Sequence, residues 1–141
     1  MQEIRMKYFF LPVLLQVQSN PGGENVIIRR PAVSGTIEFL RLPVHVAHQL
    51  AEFLETAAEN ATATPVVSGQ IGEINGDSVR ALGTAKVRIR VSVARSNSIR
   101  FAIRETVTRL GRKNQHSRPT LSVEEARRFA NSLREANVVS A

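Results

Sequence analysis

The stretch KVRIRVSVARSNSIRFAIRETV, residues 86–107, places a cation at nearly every second position and Val, Ile or Phe between them. In an extended chain, successive side chains point to opposite faces, so a period of two sorts residues by face. Val87, Ile89, Val91 and Val93 then share one side, and Lys86, Arg88, Arg90 and Ser92 the other. The pattern resumes with Ile99, Phe101 and Ile103 against Arg100, Ala102 and Arg104. Two strands are predicted, over 86–95 and 98–109, with RSNS at 95–98 closing a hairpin. In matching register, the two cationic rows lie side by side on one sheet surface, and the apolar rows behind them require a cover.

Residues 121–136, LSVEEARRFANSLREA, supply that cover. Val123, Ala126, Phe129, Ala130 and Leu133 have the spacing of one helix face and are predicted to meet the apolar rows of both strands. Ser122 followed by Glu125 forms an S-x-x-E capping box, and Arg118-Pro119 prevents an earlier start. An ungapped offset of 79 residues superposes this segment on LPVHVAHQLAEFLETA from Leu42. Leu42, Val44, Ala47, Ala51, Leu54 and Ala57 fall on Leu121, Val123, Ala126, Ala130, Leu133 and Ala136, with Leu50 opposite Phe129. Pro43 is suited to the opening turn of the earlier helix. The helices are predicted to end near 58–60 and 136–137.

Strand-like sequence precedes each helix. Strands are expected at about 6–18, 25–33 and 35–42 before the first, with NPGGE at 20–24 as a turn. Before the second they are expected at 66–74, 78–82, 86–95 and 98–109, with NGD at 75–77 as a tight turn. GRKNQHSRP, 111–119, reads as a basic loop, and ENATATP, 59–65, as a linker. The expected fold class is therefore α+β: two β-β-(β)-β-α units, residues 1–60 and 61–141, each an antiparallel sheet with one helix on one face, sharing one compact domain.

Charge is unevenly distributed. The formal net charge is +7, yet residues 1–70 hold five Lys/Arg against six Asp/Glu, while residues 71–141 hold fourteen against six. Between Arg80 and Arg118 there are eleven cations and one acid, Glu105. Like charges aligned on adjacent strands repel unless an anion lies between them. Phosphate suits the place, because guanidinium offers a planar fork of donors to its oxygens. The candidate nucleic-acid-binding residues are Lys86, Arg88, Arg90, Arg100 and Arg104 on the sheet, with Arg95, Arg109, Arg112, Lys113 and Arg118 in loops and at strand ends.

Two runs of strands, each closed by one helix, with a basic sheet face, resemble the tandem-repeat single-stranded nucleic-acid binders of the Whirly and PUR-repeat type and the positive-cofactor coactivator domains. The most specific similarity is IRFAIRETVTRLGRKNQHSRPTLSVEEARRFANSL, residues 99–133: a strand, a basic G-R-K loop and a Leu-Ser helix start. The resemblance implies nucleic acid held by strands and loops, with helices on the opposite face that often mediate dimer formation. Carried over by position, it implicates Arg88, Arg90, Arg100, Arg104, Arg112 and Lys113. In this chain Trp is absent and there are seven aromatic residues, of which Phe39, Phe53, Phe101 and Phe129 read as core. Tyr8, Phe9 and Phe10 lie in a run apolar on both faces and read as a buried strand or subunit contact. Binding is thus expected to be electrostatic, with little base stacking.

Other chemistries find little footing. The longest apolar run, YFFLPVLLQV at 8–17, is about half the length of a membrane span, and no membrane partner is expected. Cysteine is absent, which removes disulfides and thiolate chemistry and suits a reducing cytoplasm. His45, His48 and Glu52 have helical spacing for a metal and His116 is a distant third nitrogen, but neither HExxH nor Cys accompanies them, and no metal or other cofactor is expected. The single Asp, Asp77, sits in the predicted turn, and no nucleophile-elbow or phosphate-loop motif is present, so no catalytic residue is assigned and no enzyme is expected. The expected function is to hold single-stranded DNA or RNA on a basic sheet, as a cytoplasmic homodimer or higher homo-oligomer. The alternative is a non-enzymatic interaction or sequestration module, of the kind phages and plasmids encode, gripping an acidic protein or a phosphorylated small ligand.

Overall fold

Period-two alternation dominates the chain, and the described residues form nine strands; two segments with helical spacing give the helices. The computed structural model describes residues 2–8, 11–19, 24–32, 35–80, 83–106, 115–117 and 119–136. In chain order the elements are β1 (Gln2–Tyr8), β2 (Leu11–Ser19), β3 (Asn25–Ala32), β4 (Gly35–Pro43), α1 (Val44–Thr62), β5 (Gly69–Arg80), β6 (Gly83–Val93), β7 (Ile99–Thr106), β8 (Gln115–Ser117), β9 (Thr120–Leu121) and α2 (Val123–Glu135). The fold is α+β, with one antiparallel sheet in the order β6-β5-β4-β3-β2-β1-β9-β7-β8. Because β6 also pairs with β7, the order returns on itself as a ring. The ring is narrow at two joints. β4 meets β5 only through Leu40 with Ser78 and Arg41 with Asp77. At the other joint, β9 links β1 to β7 through Lys7 with Thr120, Ile99 with Leu121 and Arg100 with Thr120.

The core lies between the inner faces of the strands and the two helices. Ile4, Leu15, Ile28, Leu40, Leu42, Ile89, Ile99 and Phe101 from the strands, and Leu50, Leu54 and Phe129 from the helices, are its largest buried side chains. The helices pack on each other, and both carry buried small residues, Ala47, Ala51, Ala57, Ala58 and Ala61 on α1 and Ala126 and Ala130 on α2, which permit close approach. Glu55 and Arg134 form an ion pair between the helices. Both helices begin where the offset of 79 places them, at Val44 and Val123. Ser122 Oγ accepts from the Glu125 backbone N–H at 3.1 Å, the predicted cap. Pro43 offers no such side chain, and the Val44 N–H instead donates to the Glu24 carbonyl at 3.2 Å.

Three strand assignments differ from the sequence expectation. The expected strand over 6–18 is the hairpin of β1 and β2, with Tyr8 opposite Leu11. Phe9 and Phe10, which separate those partners in sequence, lie outside the described residues, and nothing in the composition of the run marks a break. Pro12, second in β2, is compatible with pairing near a strand start. NGD at 75–77 is not a turn. β5 runs through it, pairing Asn75, Gly76 and Asp77 with Arg88, Val87 and Lys86. Gly76 is there for close approach: a Cβ on it would sit against Leu42 Cδ2. Within the expected loop 111–119, residues 115–117 form β8 against β7.

The helix cover also differs. The apolar rows of β6 and β7 were both expected to meet α2, and Phe101 of β7 does, with its ring centroid 5.4 Å from that of Phe129. β5 and β6, however, lie under α1, whereas α2 lies against β1, β2 and β9. The buried alanines explain this: two helices that approach closely form one layer, under which α1 reaches the strands that follow it. Its contact with β5 is tight. The register shifts between Gln70 and Gly72, and a Cβ on Gly72 would fall 2.5 Å from the Phe53 ring. Gly72→Ala is therefore expected to cost about 1–3 kcal/mol, as overpacking does. Phe53→Leu in the same chain should recover part of that loss, read as non-additivity of the urea midpoints.

Candidate nucleic-acid interface

Burial alternates strictly along β6 and β7. Val87, Ile89, Val91, Val93, Ile99, Phe101 and Ile103 are buried, whereas Lys86, Arg88, Arg90, Arg100 and Arg104 are exposed. The pairing register sets Arg88 opposite Arg104, Arg90 opposite Ala102, Ser92 opposite Arg100 and Lys86 opposite Thr106. The five predicted sheet cations therefore share one outward face, backed by the core. The hairpin joining the strands is built as its sequence predicts. The Ala94 N–H donates to the Ser98 carbonyl at 2.9 Å and the Asn97 N–H to the Ala94 carbonyl at 3.0 Å. Asn97 takes a φ of 65°, a left-handed conformation that Asn tolerates. Arg95 is exposed in this turn. Arg109, Arg112, Lys113 and Arg118 lie outside the described residues, as do the side chains of Tyr8 and His116 and the whole of Phe9 and Phe10.

β5 adds what the sequence reading missed. With Ile74 turned inward and Glu73, Asn75 and Asp77 outward, it lays two carboxylates along the edge of the basic face. Glu73 is 3.2 Å from Arg90 Nη2 and 3.8 Å from Arg88 Nε, so one carboxylate is shared between two guanidiniums. Both arginine side chains remain 51% exposed, which leaves donors free for a ligand and screens the pair with water. Asp77 faces Lys86 on one side and Arg41 of β4 on the other. The signal for these residues was the same alternation, continued one strand earlier, and the dipeptide Asn75-Gly76 concealed it.

The face is thus partly neutralised and still cationic: five Lys/Arg on β6 and β7 against Glu73 and Asp77 on β5. Among the described residues, Arg100 and Arg104 have no ion-pair partner. A depression of about 690 Å³ opens on this face, with Asn75, Asp77, Lys86, Arg88 and Arg104 around it. The described aromatic rings lie elsewhere: Phe101 and Phe129 are buried, and Phe53 is half-buried against Gly72. Among the described residues no group of three or more His, Asp or Glu could hold a metal, and no helix is long and apolar enough to cross a membrane. His45 is exposed on α1; the Nε2 of His48 is buried and has no hydrogen-bond partner.

No protein-family model matches the chain, and no curated protein matches its sequence. What the face can do follows from its chemistry: it offers guanidinium forks and an ammonium to oxyanions along about 13 Å of each of two adjacent strands. The Arg88–Arg104 pair carries a measurable cost of that arrangement. Like charges directly opposite on neighbouring strands destabilise a sheet. Arg104→Thr is expected to raise stability by about 0.2–1 kcal/mol at low ionic strength. The gain should shrink when the melt is repeated in about 1 M salt, where screening is complete within about 3 Å.

Proposed function

We propose that this protein binds single-stranded nucleic acid across the outer face of β5, β6 and β7, without chemistry. The observation that carries the reading is the excess of cations on this face: Arg88 and Arg104 face each other across the β6–β7 register, Glu73 offsets one of the two charges of Arg88 and Arg90, and among the described residues Arg100 and Arg104 have no ion-pair partner. A folded chain retains such a pair at a cost, and a polyphosphate ligand offsets it. Lys86, Arg88, Arg90, Arg100 and Arg104 would contact phosphates, with Arg95 at the hairpin tip; Arg109, Arg112, Lys113 and Arg118 belong to the same proposal. With no described aromatic ring on the face, affinity would come from phosphate neutralisation and sequence would be read weakly.

The architecture supports the resemblance to the Whirly, PUR-repeat and positive-cofactor type. Four strands precede α1, the number that family type requires, and the hairpin at Tyr8–Leu11 supplies the one missing from the sequence reading. Three long strands, β5, β6 and β7, and the short β8 and β9 precede α2. We read the chain as a duplicated run of strands closed by a helix, in which α1 covers β5 and β6 as well as β3 and β4 of its own unit, and α2 lies on β1 and β2 as well as β9. A homodimeric, cytoplasmic protein is part of the same reading, the latter because a cysteine-free chain suits a reducing compartment.

A second reading is favoured by the depression beside Arg88, which could seat a phosphorylated small ligand instead of a strand. Fluorescence anisotropy separates the two. Strand binding predicts affinity that rises with oligonucleotide length and falls with salt by about 0.7 log units per log unit for each phosphate neutralised. Arg88→Glu combined with Arg100→Glu should remove at least two such contacts and flatten the slope by about 1.4. Binding of equal strength to oligonucleotides of all lengths, unchanged in the double variant, would refute the strand reading.

A further inference from the structure

The basic face contains two carboxylates in different states. Glu73 is ion-paired, with its Oε1 shared between Arg88 and Arg90. Asp77 is exposed at the depression and has no ion-pair partner among the described residues, although Lys86 and Arg41 stand opposite it in register. A free carboxylate beside phosphate-binding cations is unfavourable for a ligand that presents only phosphate. It becomes favourable when the ligand carries a hydrogen-bond donor next to the phosphate, because an ionised carboxylate only accepts. In a polynucleotide the group that meets this description at every residue is the ribose 2′-hydroxyl, adjacent to the 3′-phosphate. Deoxyribose lacks it.

The spacing suits both contacts. Residues directly opposite on antiparallel strands hold their Cβ atoms about 4.5–5.5 Å apart, so Asp77 and Lys86 can address neighbouring groups of one nucleotide. Arg88 and Arg104, across the same depression, take the next phosphate, and Asn75 stands beside Arg88 in that row as donor or acceptor. Gly76 fixes the arrangement, since the close approach of Leu42 to that glycine holds β5 against β4 and presents Asp77 outward.

We propose that the depression is a ribonucleotide subsite in which Asp77 accepts a hydrogen bond from a 2′-hydroxyl, so that the protein prefers single-stranded RNA to single-stranded DNA. The inference rests on the strand-binding reading above and adds to it the class of polynucleotide. Uridine decamers separate the two: ribo-U, deoxy-U and 2′-O-methyl-U have the same base and phosphates, and the methyl ether has no donor. Ribo-U is expected to bind about tenfold tighter than either analogue, the value of one hydrogen bond to a charged group. Asp77→Ala and Asp77→Val, which leave no acceptor at this position and are each checked for an unchanged circular dichroism spectrum and melting temperature, should lose most of that preference. Their binding to deoxy-U should be equal to or tighter than that of the parent, because a negative charge has gone. Equal affinity of the parent for ribo-U and deoxy-U would overturn the inference and leave the phosphate reading standing. A ribose preference that survives in both Asp77 variants would overturn the assignment to Asp77. Binding to none of the three probes would overturn the strand reading, and this inference with it.

Discussion

The contact on which the rest depends is the burial of the inner row of β6 and β7 against the helix layer. Phe101 and Phe129 form a tilted ring pair with centroids 5.4 Å apart, while Ile89 and Val91 are buried on β6, a strand that α1 covers. Replacing a buried Phe by Ala typically costs about 3–5 kcal/mol, a large part of the stability of a domain this size. Once that row is fixed inward, the period of two leaves no choice for its neighbours. A slip of one residue would bury Lys86, Arg88, Arg90, Arg100 and Arg104 and expose seven apolar side chains. The core therefore enforces the charged face, and the repulsion along that face is borne by packing energy behind it.

The alternation made most of this legible. The strands carrying the cations, the hairpin at Arg95–Ser98, the Ser122 cap and both helix starts follow from local patterns in which one residue type answers one geometric need. What escaped the sequence has an equally physical cause. Asn75-Gly76-Asp77 has turn chemistry, but the glycine is required by Leu42 and not by a reversal of the chain, a condition set by a residue more than thirty positions away. The pairing of β1 with β2 was hidden because the run from Tyr8 to Leu11 has the same apolar composition as the strands on either side of it. The helix that covers β6 could not be inferred from periodicity, since both helices have suitable stripes; the packing of the two into one layer decides the matter.

Glu73 and Asp77 follow from the same misread segment, and they change the character of the face. A purely cationic sheet would hold any polyanion through charge alone. With one carboxylate spent on Arg88 and Arg90 and another left unspent beside Lys86, the surface presents acceptors among its donors. Charge attracts the backbone from a distance of about 8 Å at physiological salt, whereas an acceptor discriminates only at contact, by what the ligand can donate. On this sheet both kinds of group are fixed by one register, that of β5 on β6. Any change that shifts the register at Gly72 or Gly76 would move the acceptors relative to the cations without altering the net charge. Affinity at low salt and selectivity between ligands of equal charge are therefore separable properties of this face, the first set by the residues of β6 and β7 and the second by β5.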